Sequence, residues 1–410
     1  MTDPAEAAAR GLEALHAGRT VEAVFNLTLA VDVTPEGHPA RPSRLSNLAA
    51  ALFARNEGTD LADARQMFQA AVSASPPGDP SRSAYVTNLV TVSTRLADAT
   101  GAEDDLAQAI DAIERHLSET SVDDPQRPRR LALLGAGIRR RFGMTTDRAD
   151  LEQAMTVLRE AAAIEGPFPA AALAELGNTL VVAGQADAAI LILQQAIELA
   201  SPPPTSYRAN LGSALLARGR DRLSDLDTAV AEFETAVDAT FNSLFLAGLA
   251  DALHARFEVT GQFEDLVRGS EVARQAVAGG TAPAQVLAVA GSVLSAFATF
   301  TGTTAVSEEA LGLLRTAVSQ TPAGSALQAR RMAQLASALH RHGDLDAAIT
   351  LLRTAETHAA PEDVGMIRNN IAVAATRLAE RTGDREHIDE AVRLTAAVAA
   401  DSDFPARAAA

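Results

Sequence analysis

Between Leu173 and Ile197 the apolar residues recur at steps of three and four, the spacing of helices with one buried stripe each. Leu173, Leu176, Gly177 and Leu180 make the first stripe and Gly184 breaks it. Ala189, Ile190, Leu193, Ala196 and Ile197 make the second, before Pro202-Pro203-Pro204 ends it. Two stripes joined by a turn predict a helix hairpin, helix A then helix B. The figure recurs, marked by Asn47-Leu48-Ala49, Asn88-Leu89-Val90, Leu133-Leu134-Gly135, Glu175-Leu176-Gly177, Asn210-Leu211-Gly212, Gly248-Leu249-Ala250, Val289-Ala290-Gly291, Gln334-Leu335-Ala336 and Asn370-Ile371-Ala372. Successive markers lie 41, 45, 42, 35, 38, 41, 45 and 36 residues apart. This period predicts an all-α solenoid, in which each hairpin buries its apolar face on its neighbours.

The expected array is a single solenoid over 1–405, with hairpins near 5–35, 43–75, 81–120, 127–165, 169–201, 205–240, 242–279, 284–321, 328–360 and 362–400, and a tail at 401–410. Ser75-Pro76-Pro77, Ser201 to Pro204 and Thr321-Pro322 fall between hairpins and read as inter-repeat turns. Longer units share a further signature: Thr100-Gly101 before Asp105-Leu106, Asp221 before Asp225-Leu226-Asp227, Thr260-Gly261 before Asp265-Leu266, and Thr382-Gly383-Asp384 before Ile388. There the Gly is expected to end helix A and the Asp to cap the start of helix B.

The order Leu-Gly-x-x-Leu, turn, Ala, then Ala and Pro resembles the tetratricopeptide repeat. The resemblance implies a right-handed superhelix of about ten antiparallel hairpins, acting as a protein-interaction scaffold. The Thr-Gly, Asp-Leu units and the linker Thr34-Pro35-Glu36-Gly37-His38-Pro39 are similar to repeat arrays associated with caspase-like CHAT-domain proteins of high-GC actinobacteria. That implies a regulatory or sensor subunit of a separate effector. A CHAT protease needs a His and Cys pair, and this chain has no Cys.

In tetratricopeptide superhelices helix A lines the concave groove, and the register carries those places onto this chain one by one. The polar and charged groove residues expected on that basis are Arg95, Arg129, Arg139, Arg140, Asn178, Asn210, Asp251, His254, Arg330, His340, Arg341, Asn369 and Arg377. Seven are Arg and one is Asp, on a chain of net charge −17, so a basic groove is expected inside an acidic protein. Guanidinium groups offer paired donors to carboxylates, which makes an acidic peptide or protein segment the expected partner. Asn178 and Asn210 match the two Asn places of the family's peptide clamps. Ala174, Leu244 and Gly248 stand where those clamps have Lys or Arg, which argues against capture of a C-terminal carboxylate.

Composition narrows the chemistry. All 35 basic residues are Arg, and there is neither Cys nor Trp. Phosphate-loop lysines, Schiff bases, thiol nucleophiles and Cys-based metal sites are thereby excluded. No cofactor is expected. The acidic balance and an aromatic content of 4% argue against a nucleic-acid partner. The most apolar stretch, Val286 to Phe300, falls short of the roughly 20 residues that span a bilayer and reads as a buried helix, so no membrane partner is expected. The start, Met1 to Glu6, lacks the basic and apolar regions of a signal peptide, and a cytoplasmic location is expected.

Weaker constellations carry little. His340-x-His342 with His358 has two residues pointing apart on a helix and reads as solvated surface, not a metal site. Arg139-Arg140-Arg141 reads equally as an acidic-partner contact or an exposed helix face. Asp251 and His254, three apart on one helix face, are the one acid/base pair an enzyme reading would use; a non-enzyme is expected. After Ala400 no polar capping helix is evident, so the C-terminal face is expected to dock a second copy or an effector subunit.

Overall fold

The computed structural model describes residues 3–76, 78–100, 103–166, 168–280 and 282–400, which form twenty helices with no strand among them. The expected tail at 401–410, Pro77 and Gly101 lie outside the described residues. The chain packs as two compact units, Met1–Phe168 and Pro169–Ala410.

Unit 1 holds α1 (Pro4–His16), α2 (Thr20–Asp32), α3 (Arg41–Arg55), α4 (Asp60–Ala74), α5 (Arg82–Thr100), α6 (Glu103–Glu119), α7 (Arg127–Thr145) and α8 (Arg148–Ala163). Unit 2 holds α9 (Pro169–Val182), α10 (Ala186–Leu199), α11 (Thr205–Arg218), α12 (Leu223–Ala239), α13 (Ser243–Thr260), α14 (Phe263–Val277), α15 (Ala284–Thr301), α16 (Thr304–Ser319), α17 (Ala326–His342), α18 (Leu345–Glu356), α19 (Pro361–Thr382) and α20 (Arg385–Ala400).

Each odd helix except α5 packs most extensively on the even helix that follows, α5 packing about equally on α4 and α6, and within each unit each even helix then packs on the next odd one. In unit 2 every odd helix also touches the next odd helix, from α9 through α19, while among the described residues no two even helices approach comparably. The odd helices are therefore the inner layer of unit 2 and the even helices its outer layer. This makes the chain an all-α helical solenoid.

Small residues set the hairpin crossing. A Cβ added at Gly135 would stand 2.4 Å from Leu158 Cγ, and one at Gly177 would stand 2.5 Å from Leu193 Cγ. Both leucines are fully buried, so the close approach of helix A to helix B is filled by the side chain of B.

The Thr-Gly signature has a local cause. Thr260 Oγ donates to Arg256 O (2.8 Å) and accepts from Gln262 N (3.2 Å), and Gly261 takes the left-handed conformation, φ 69°, that ends α13. Thr382 and Gly383 repeat the arrangement at the end of α19. The Asp of this signature departs from expectation. Asp225 and Asp265 are not caps but first-turn residues of α12 and α14, nearly buried, and each carboxylate receives a two-pronged hydrogen bond from an Arg on the preceding helix A. Arg218 Nε lies 2.7 Å from Asp225, and Arg256 lies 2.7 and 2.8 Å from Asp265. Unit 1 has the same lock at Arg55–Asp60 and Arg141–Asp150. A carboxylate in the first turn also suits the helix dipole, so pairing satisfies it twice.

α15 is longer than the sequence reading. It runs 18 residues and is apolar enough to cross a membrane by length and composition, yet it packs against α13, α14, α16 and α17 as a core helix.

Candidate ligand-binding surface

The expected groove residues all lie on odd-numbered helices. In unit 1, Arg95 of α5 is exposed and holds its guanidinium 5.2 Å from the centroid of the Phe53 ring on α3, a cation–π contact. Arg129 of α7 is exposed and makes no ion pair or hydrogen bond among the described residues. Arg139 and Arg140 are half-buried, and burial lowers the Arg140 pKa from its ordinary value. Their neighbour Arg141 is neither an open helix face nor a partner contact, because Asp150 takes it up at 2.7 to 3.2 Å.

Unit 2 brings five of the expected residues into one series. Arg220, in the turn after α11, forks onto both oxygens of Asp251 at 2.9 and 3.0 Å. His254 Nε2 stands 3.7 Å from Glu258 one turn on, and Arg220 stands 3.9 Å from the same carboxylate. Burial holds His254 below the usual imidazole range. Glu258 and Asp251 oppose that shift, while Arg220 and Arg341 reinforce it. Arg341 of α17 reaches back and donates its Nε to Ser295 Oγ on α15 at 3.1 Å. His340 beside it is also depressed, by burial first and then by Arg377 and Arg341. The series therefore runs from a mixed-charge group on α13 to a cationic group on α17 and α19.

Asp251 and His254 are brought close but not as an acid/base pair. Asp251 is occupied by Arg220, and His254 faces Glu258, a salt-bridge group of ordinary kind. Arg330 leaves the series, since Asp363 at 2.5 Å and Glu362 at 3.7 Å take it up. Asn178 and Asn210 are half-buried on α9 and α11, and Asn369 is exposed on α19; none has a hydrogen-bond partner among the described residues. His342 bonds Ser307 at 2.9 Å, and among the described residues no cluster of three His, Asp or Glu is disposed to hold a metal ion.

Reading the sequence placed Ser295 on the groove face but missed Arg220, Glu258 and Asn370. The first two lie outside the carried-over places. Asn370 sat in a marker segment and was read for its place in the repeat alone.

No protein-family model matches the chain, and no curated protein does. Solved structures do. The human IFIT1 dimer with m7Gppp-AAAA is 16% identical with a TM-score of 0.51, over 94% of this chain and 80% of that one. A monomeric IFIT1 mutant with Gppp-AAAA is 15% identical with a TM-score of 0.50, over 94% and 79%. A tetratricopeptide repeat protein from Parabacteroides merdae is 13% identical with a TM-score of 0.42, over 81% and 98%. IFIT1 is itself a tetratricopeptide-containing protein, and the likeness shows a tetratricopeptide-like solenoid fold.

Proposed function

We propose that this chain is a non-catalytic binding scaffold whose odd-helix surfaces hold an acidic peptide or protein segment. The observation that carries the reading is the state of its arginines. Arg95, Arg129 and Arg377 stand exposed on odd helices with no carboxylate in ion-pair range among the described residues, and Arg341 is engaged by a serine hydroxyl alone. With 52 acidic residues against 35 basic ones, carboxylates to pair them were abundant in the chain. Cations left open on odd helices offer charge-assisted donors to an incoming carboxylate.

The test is anisotropy of a fluorescent Glu-rich peptide, with a Lys-rich peptide of equal length as control. Binding is expected for the first alone and is expected to weaken as salt rises. Each of Arg95→Ala, Arg129→Ala and Arg377→Ala is expected to weaken it about threefold, the effect of roughly 0.7 kcal/mol for an exposed pair. Unlabelled m7Gppp-AAAA, the ligand in the human IFIT1 structure, is not expected to compete, given the net charge of −17 here. Salt-independent peptide binding, or full displacement by the oligonucleotide, would overturn the reading.

A further inference from the structure

α17 and α19 leave between them a recess of about 160 Å³, lined by Ser337, His340, Arg341, Asn370 and Val373 over an alanine floor. His340 Nε2 is buried there and has no hydrogen-bond partner. Its ring lines the space, which has room for a partner that the described residues do not supply. The other groups at the recess say what that partner is. Arg341 has its Nε tied to Ser295, which orients the guanidinium and leaves the two terminal nitrogens without a carboxylate in range. Arg377 lies close enough to depress His340. Asn370 is half-buried and its carboxamide is not engaged. Glu258 acts on Arg341 from α13, but the two make no ion pair among the described residues. Cations and donors gather around this space, and an anionic acceptor is what they lack.

We propose that the recess between α17 and α19 seats one side-chain carboxylate of the acidic segment, held by the terminal nitrogens of Arg341 and the Asn370 amide, against the ring of His340. The proposal rests on the acidic-segment reading above for its ligand, and it adds the residue-level anchor. A planar carboxylate matches the guanidinium fork and leaves remaining lone pairs for the amide. Arg377 supplies further positive charge.

The experiment uses the full chain with carbon-13-labelled histidine, whose eight His include His340, assigned through His340→Gln. The probe is N-acetyl-aspartate N-methylamide, which carries one carboxylate, and the control is the neutral asparagine analogue. The His340 ring resonances are expected to shift saturably with the first and not with the second. Asn370→Ala is expected to raise the half-saturating concentration about fivefold. Val373→Glu, at an exposed position on the rim, is expected to remove the response by supplying a carboxylate from within. A His340 signal that stays still, or that moves equally with the neutral analogue, overturns the proposal. Glu-rich peptide binding with a silent His340 sinks the recess and leaves the scaffold reading standing. A His340 response without peptide binding does the reverse.

Discussion

In unit 1 each of the three linkers between hairpins ends on an arginine that reaches back to the helix it follows, whereas unit 2 does this once and with a weaker donor. Arg41 donates to Val31 O (3.1 Å) and to Thr34 O, and Arg44 donates to Thr34 Oγ. Arg82 donates to Ser75 O (2.8 Å) and to Val72 O. Arg127 donates to Leu117 O (3.2 Å), while Arg130 bonds Thr120 Oγ and Ser83 Oγ, both at 3.0 Å, and Asp124 at 2.5 Å. In unit 2 the one counterpart is Gln328, at 3.4 and 3.5 Å from Thr321 O and Val318 O, with Arg331 on Thr321 Oγ. Its other linkers run three to six residues, and in one of them Asn242 caps α13 directly. The last carbonyls of a helix need partners. A long polar linker gives those carbonyls no partner of its own, so unit 1 meets the need with cations. A linker of a few residues leaves less to satisfy.

The comparison can be broken most sharply at Arg130, which is 3% exposed. Arg130→Met should destabilise by about 3 kcal/mol, because it removes one partner of a largely buried pair and leaves the Asp124 carboxylate without its guanidinium. Hydrogen exchange read peptide by peptide should show the loss in α5 to α8 and leave α13 to α20 unchanged. Equal loss in both regions would mean that the units do not differ in this way.

The next expected effect is common to both units. Gly135→Ala and Gly177→Ala should each cost about 2 kcal/mol by overpacking the hairpin crossing against Leu158 or Leu193. Chemical denaturation should give similar values for the two; a silent substitution in either unit would show that its crossing is looser than its geometry.

The smallest effect sharpens the contrast by pH. Asp60 and Asp124 of unit 1 are held below the ordinary carboxyl range, first by hydrogen bonds from Arg55 and Arg130. Their folded-state values lie under the unfolded one, so their stabilisation is present above about pH 4 and is lost as pH falls through the folded values. His116 of α6 is 6% exposed, has neither ring nitrogen partnered, and is depressed by burial first and then by Arg130 and Arg82. The unfolded chain takes up its proton first, so unit 1 should begin to lose stability as pH falls below about 6.5. His116→Leu should raise stability by about 1 kcal/mol and flatten the slope between about pH 6.5 and 5. Because His254 and His340 pull the same way in unit 2, unit-resolved hydrogen exchange is the measurement; an unchanged slope in α5 to α8 would remove His116 as its source.

Much of this architecture is legible in one dimension. The buried stripes of α9 and α10 are the residues read from spacing, Leu173, Leu176 and Leu180, then Ala189, Ile190, Leu193 and Ala196. The Thr-Gly pair could be read as a helix stop because the threonine acts within its own last turn. The Asp-Leu pair was misread because the Arg that claims Asp265 stands nine residues back, across a turn.

The surface chemistry shows where such reading stops. Arg330 and Arg377 both occupy expected groove places on inner helices. One is taken up by Asp363, 33 residues on, while the other has no carboxylate in range among the described residues. Helix formation, small-residue crossings and the Thr-Gly stops follow from the order of residues, since each depends on atoms within a turn or two of one another. Which arginines stay open, and that His340 lines a recess with its Nε2 unpartnered among the described residues, depend on distances across neighbouring hairpins. Those distances vary with linker length and packing, and the periodicity of the chain does not encode them.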